Sequence, residues 1–184
     1  MVKKLINFEI LVNTKKVARA AMKTGEFMMA DCSSGKLLIT GQFVINLTPE
    51  QFFSVMCKLE IPELGVWYLT GDDALVESER KSEIAEWEGR YNEWLNEAEG
   101  VELTNTFIDI GSSSIYTNGQ SYIGIGQERL LMLDDIQRLE CTGKMVLVNG
   151  LHIIAPIKED IWRNNGFLYR LPGMDPEREA EDEK

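Results

Sequence analysis

Short β-forming runs, each ended by a glycine or an Asn-Gly pair, constrain this chain more than any other feature. From Thr106 onward the breaks fall at Gly111, Asn118-Gly119, Gly126, Thr142-Gly143 and Asn149-Gly150, which is hairpin spacing. Asn118-Gly119 and Asn149-Gly150 carry the clearest type I′ turn signals. The first half reads the same way. A strand is expected over 5–12, then strands over 26–30, 36–40 and 42–46 with a Ser33-Ser34-Gly35 turn between the second and third, and another strand over 65–70.

Helices interrupt this pattern at places marked by their caps. Asn13-Thr14 offers an N-cap for a short helix that Gly25 would stop. Thr48-Pro49-Glu50-Gln51 places Thr at N-cap, Pro at N1 and Gln at N3, a capping box opening a helix over 49–59 that ends before Pro62. Gly71-Asp72-Asp73 turns the chain into the longest expected helix, 74–99, which would be roughly 39 Å long, with Gly100 closing it. The stretch 128–139 fits either a buried strand or a short helix, and a last helical turn is expected from Lys158 to about Gly166.

These elements define an α+β fold, mostly antiparallel hairpins with a short helix near 49–59 and a long amphipathic acidic helix near 74–99. The expected divisions are a β-rich part over 1–71, the acidic helix over 72–100, a second β-rich part over 101–173, and a disordered acidic tail over 174–184. Together they make one compact domain or two small subdomains, which 184 residues at 44% hydrophobic can support. Asp31-Cys32-Ser33-Ser34-Gly35-Lys36 and Glu140-Cys141-Thr142-Gly143-Lys144 each lead into apolar runs split by a second glycine. They read either as a duplicated ββα-like unit or as chance recurrence of a common turn.

Charge narrows the functional classes. The formal net charge is −11, and phosphate repels a net anion this strong unless a basic face is segregated, so direct nucleic-acid binding is not expected. Residues 72–100 hold ten acids against three basic groups, and 174–184 hold six against two. Residues 1–24 carry six basic side chains against Glu9 alone. That basic segment either neutralises the acidic helix within the fold or does so across a homodimer.

Catalytic signatures are weak. Ser34-Gly35-Lys36 and Thr142-Gly143-Lys144 lack the upstream glycine and the Ser or Thr after Lys that a P-loop needs. Gly124-Ile125-Gly126 lacks the third glycine of a dinucleotide fingerprint, and its flanks read as strand on both sides. His152, the one histidine, lies between Leu151 and Ile153 as a packed strand residue would. Cys32, Cys57 and Cys141 have no metal-ligand spacing and read as reduced thiols of a cytoplasmic protein. No apolar run approaches the ~20 residues of a membrane span, and Lys3-Lys4 precede no continuous apolar segment of a secretory leader. No catalytic residue, metal or cofactor is assigned.

The acidic helix is the sharpest feature. Ile84, Trp87, Tyr91, Trp94 and Ala98 form a stripe at spacings 3, 4, 3 and 4, preceded at the stripe positions by Arg80 and Glu77, so it spans two heptads. Glu83, Glu86, Glu88, Glu93, Glu97 and Glu99 occupy the other face. Glu97 and Glu99 oppose the macrodipole at its C-terminal end, at a cost of roughly 0.3–1 kcal/mol each. The expected function is a protein-binding module, an inhibitor or adaptor such as a mobile-element anti-defence protein, that occupies the basic nucleic-acid-binding surface of a partner. Its expected contact residues are Glu83, Glu86, Glu93 and Glu97 for charge, with Trp87 and Trp94 as anchors where exposed. The alternatives are a structural subunit of a larger assembly and a metal-dependent nucleic-acid-processing enzyme using carboxylates such as Asp109, Asp134, Asp135, Glu140, Glu159 and Asp160.

Overall fold

A computed structural model describes residues 12–72, 74–80, 83–97, 104–110, 113–117, 122–141 and 145–157. Helix α1 (Thr14–Thr24) begins where expected: the Asn13 side chain accepts from the Lys16 N–H, and Gly25 closes the helix in the left-handed region at φ 77°. Strands β1 (Glu26–Cys32), β2 (Gly35–Thr40) and β3 (Phe43–Leu47) follow as consecutive hairpins. The β1–β2 turn depends on Gly35, whose φ of 131° excludes other residues and whose missing Cβ would lie 2.7 Å from the Asn46 amide. Helix α2 (Pro49–Leu59) carries the complete capping box between Thr48 and Gln51.

Strand β4 (Gly65–Leu69) is followed by β5 (Leu75–Ser78) and then by α3 (Glu83–Glu97). The helix expected over 74–99 therefore starts later, and its described part is 15 residues and roughly 22 Å long; Ala98, Glu99 and the Gly100 closure lie outside the described residues. Residues 75–78 pair with β4 instead, Tyr68 opposite Val76 and Leu69 opposite Leu75, and the Thr70 N–H and hydroxyl both donate to the Ala74 carbonyl to tighten the turn. Sheet bonding outweighs helix propensity there, and Glu77 and Arg80 supply no apolar stripe to hold a helix down.

In the second half, β6 (Thr104–Ile110), β7 (Ser113–Thr117) and β8 (Tyr122–Gly126) form a three-stranded antiparallel sheet. Strand β8 runs directly into α4 (Gln127–Leu130), so the flank of Gly124-Ile125-Gly126 is strand then helix, contrary to expectation, though four residues make only one turn. The ambiguous 128–139 stretch thus opens as helix. Strands β9 (Leu139–Cys141), β10 (Val146–Val148) and β11 (His152–Ile154) complete the chain's described elements. Asn149 and Gly150 take φ of 54° and 74°, the type I′ pair expected there. The expected strand over 5–11, the Asn118-Gly119 and Thr142-Gly143 turns, the turn near 158–166 and the tail over 174–184 lie outside the described residues.

Among the described residues the main sheet has eight strands in the order β5-β4-β1-β2-β3-β11-β10-β9, all antiparallel. Its two faces follow the period of two. Phe27, Met29, Leu38, Phe43 and Ile45 join Val17, Ala21, Phe52 and Val55 of α1 and α2, with Ile125 of the smaller sheet, in one core. The alternate residues Met28, Ala30, Leu37, Ile39 and Val44 pack with Tyr91 of α3 in another. Helices α1 and α2 therefore lie on one face of the sheet and α3 on the other. No described helix is long and apolar enough to cross a membrane.

Candidate functional site

Helix α3 sits on the sheet through its aromatic stripe. Tyr91 is fully buried, and Ile84, Trp87, Trp94 and Leu95 are partly buried around it. Trp87 and Trp94 meet edge to face with ring centroids 6.3 Å apart. The Tyr91 hydroxyl donates to the Leu151 carbonyl at 2.7 Å and accepts from Asn46 Nδ2 at 3.2 Å. Burial holds that phenol above its ordinary pKa, so it remains a neutral donor.

A second set of bonds ties the helix to the β1–β2 turn. Glu88 accepts from the Ser33 hydroxyl at 2.6 Å and from the Ser34 N–H at 3.3 Å, while the Ser34 hydroxyl donates to Asn92 Oδ1 at 2.8 Å. The Ser33 bond, aided by Ser34, keeps the Glu88 carboxyl below the usual carboxylate range. Glu88 reads in the sequence as one of the solvent-facing acids; here it positions the helix. Its partners lie more than fifty residues away, beyond the reach of any local pattern.

The remaining acids divide by environment. Glu83 lies 3.5 Å from Arg80, which also pairs with Glu26 of β1. Glu86 pairs with Arg90 at 2.6 Å, and the Arg90 guanidinium lies 5.1 Å from the Trp87 ring centroid. Glu93 and Glu97 are exposed and form no ion pair with any described residue. Their side of α3 also exposes Gly89, around which a Cβ would meet nothing within 4 Å. The solvent-facing ridge is thus Glu86, Gly89, Arg90, Glu93 and Glu97. Trp87 and Trp94 face the sheet beneath it.

A groove of about 470 Å³ opens at the start of α3, between Glu26, Phe27, Thr40, Arg80, Glu83 and Trp87. It gathers Glu83 and Trp87 of the expected contact residues; Glu86, Glu93, Trp94 and Glu97 do not line it. The chain matches no known protein family, curated protein or solved structure.

His152 and Cys32 are both held neutral by burial. His152 is 1% exposed, and its Nδ1 accepts from the Asn46 backbone N–H at 3.2 Å, which leaves the proton on Nε2. Burial lowers its pKa to about 4. Burial also pushes the Cys32 thiol up to about 11, with help from Glu88 and Asp31, so it holds its proton. Among the described residues no three His, Cys, Asp or Glu side chains gather as a metal would require. Asp135 accepts from Gln137 at 2.8 Å, and buried Glu140 pairs with Arg138 at 2.5 Å. The Asp109 side chain, Glu159 and Asp160 lie outside what is described.

Proposed function

We propose that this chain is a protein-binding module whose α3 ridge engages the basic surface of a partner, acting as an inhibitor or adaptor that covers a nucleic-acid-binding site. The observation that carries this reading is a contrast between the two sides of α3. Its inner side is firmly anchored through Tyr91, Glu88 and the tryptophans. Its outer side is built against helix stability: Gly89 in mid-helix, Glu97 in the last turn and no basic residue there to answer the dipole. Residues that cost helix stability on an exposed face, over a well-fastened base, suit a surface kept for contact. A rigid mount also lowers the ordering cost of binding.

The partner-facing set is Glu86, Glu93 and Glu97, with Glu83 at the rim; Trp87 and Trp94 serve by holding the ridge in place. The same proposal takes residues 31–45 and 140–154 as the strand-bearing parts of two copies of one ββα-like unit. They meet antiparallel at β3 and β11, and the broad sheet they make is what α3 lies on. The test is capture of a basic partner from lysate at low salt, released at high salt. Glu93→Lys with Glu97→Lys should abolish capture while leaving the circular dichroism spectrum intact; undiminished capture by this variant would refute the reading.

A further inference from the structure

The basic residues of α1 do not neutralise the α3 ridge within the molecule, because α1 and α3 lie on opposite faces of the sheet. Instead α1 displays its own charged face. Lys15, Lys16, Arg19 and Lys23 are exposed along it, and Lys15, Arg19 and Lys23 repeat at the i, i+4 spacing where like charges repel. Lys23 alone of these pairs with a described acid, Glu128, at 2.8 Å. The first turn of α1 holds Lys15 and Lys16 and no acidic residue, so positive charge lies at the positive end of its dipole. This is the mirror of α3, whose last turn holds Glu97 and no basic residue. Beside α1 runs a groove of about 480 Å³ lined by Lys15, Ala18, Arg19, Met22, Lys23 and Lys58.

We propose that this α1 face receives the C-terminal half of α3 from a second copy of the chain, so that molecules stack head to tail. The contact would place Glu93 and Glu97 against Lys15, Lys16 and Arg19, relieving at once the misplaced charge at the end of each helix. Because the two surfaces point away from opposite sheet faces, one pair of molecules cannot satisfy both. The stack is heterologous and stays open instead of closing as a dimer. The net charge of −11 opposes stacking at low salt, where the Debye length is ~30 Å at 0.01 M. Near ~0.15 M it falls to ~8 Å, which screens the overall repulsion but leaves the contact charges.

The inference shares the α3 ridge with the proposed function but needs no foreign partner, so purified chain tests it. Sedimentation equilibrium near physiological salt should give a mass that rises steadily with concentration and falls back at both low and high salt. Lys15→Glu with Arg19→Glu, and separately Glu93→Lys with Glu97→Lys, should each weaken association about tenfold or more. An equal mixture of the two variants should associate again, since the reversed α1 then meets the reversed α3. Should the first variant fail to fold, Lys58→Glu on the groove wall replaces it. A chain that stays monomeric at every salt, a mass that levels off at dimer, or a mixture that stays apart would overturn the stack. A monomeric chain that still captures a basic partner overturns the stack alone; stacking without capture overturns the partner reading alone.

Discussion

His152 stands at the seam where β11 meets β3, and its chemistry sets an acid limit on the fold. Its Nδ1 takes the place of a backbone acceptor for Asn46 just beyond the β3–β11 pairing, and its Nε2 has no hydrogen-bond partner among the described residues. Protonation would put a charge in a site that is 1% exposed and cancel the acceptor at Nδ1. The folded pKa of about 4 is depressed from 6.5, so between those values the unfolded chain binds a proton that the folded chain does not. Stability is then fully present above about pH 6.5, falls as pH drops, and levels off below about 4. The loss amounts to about 2 kcal/mol between pH 6.5 and 5. That interval lies above the range where Glu88, held below its ordinary value of 4.5, begins to add its own acid loss. Urea unfolding across the interval should show this slope, and His152→Gln should flatten it whatever that variant costs at neutral pH. An equal slope in the variant would place the titrating group elsewhere.

Helix α3 offers the same kind of test on a larger element. Gly89 is helical and exposed, and a methyl group there has open space, so Gly89→Ala should raise stability by roughly 0.5–1 kcal/mol, or about 1–4 °C in Tm. If the ridge is a contact surface with a notch at Gly89, the same change should weaken capture of a basic partner. Calorimetry and capture on one variant therefore move in opposite directions. A more stable chain that binds as before would make Gly89 neutral and remove one support for the ridge. What could be read ahead of the structure follows this distinction of scale. The Asn13 and Gly25 caps, the Thr48–Gln51 box and the Asn149-Gly150 turn were legible because each is decided within four or five residues. The start of α3 was not, because Leu75–Ser78 becomes a strand only by meeting β4. The stripe arithmetic separated the buried edge of α3 from its exposed acids. It could not show that Glu88 reaches Ser33 or that Arg80 joins Glu26 to Glu83, since those partners arrive from distant strands.

Taken whole, the molecule is joined at a narrow seam. Between β3 and β11 only Val44 with Ile153 and Phe43 with Ile154 are in register, extended by the Ala155 N–H donating to the Gln42 carbonyl at 2.8 Å. Arg129 reinforces the seam, donating to the Ala155 carbonyl and, at 3.0 Å, to Gln42 Oε1. Backbone bonding this limited would let the halves separate if nothing else linked them. Apolar packing does link them, on both faces. Phe43 and Ile45 share a core with Val146, Val148 and Ile154 on the α1 side, while Val44 packs with Leu147 and Ile153 on the α3 side. Opening the seam would expose both cores at once, so the halves should unfold together. Tryptophan fluorescence reports from Trp67 in one core, from Trp87 and Trp94 in the other, and from Trp162, which lies outside the described residues. Its denaturant transition should coincide with that of far-ultraviolet circular dichroism. Arg129→Ala removes a charged donor from two acceptors and should lower stability by about 1.5–3 kcal/mol, shifting both transitions equally. Transitions that separate, in the wild type or in this variant, would show that the strands before and after the seam fold as independent units, with packing across it too weak to couple them.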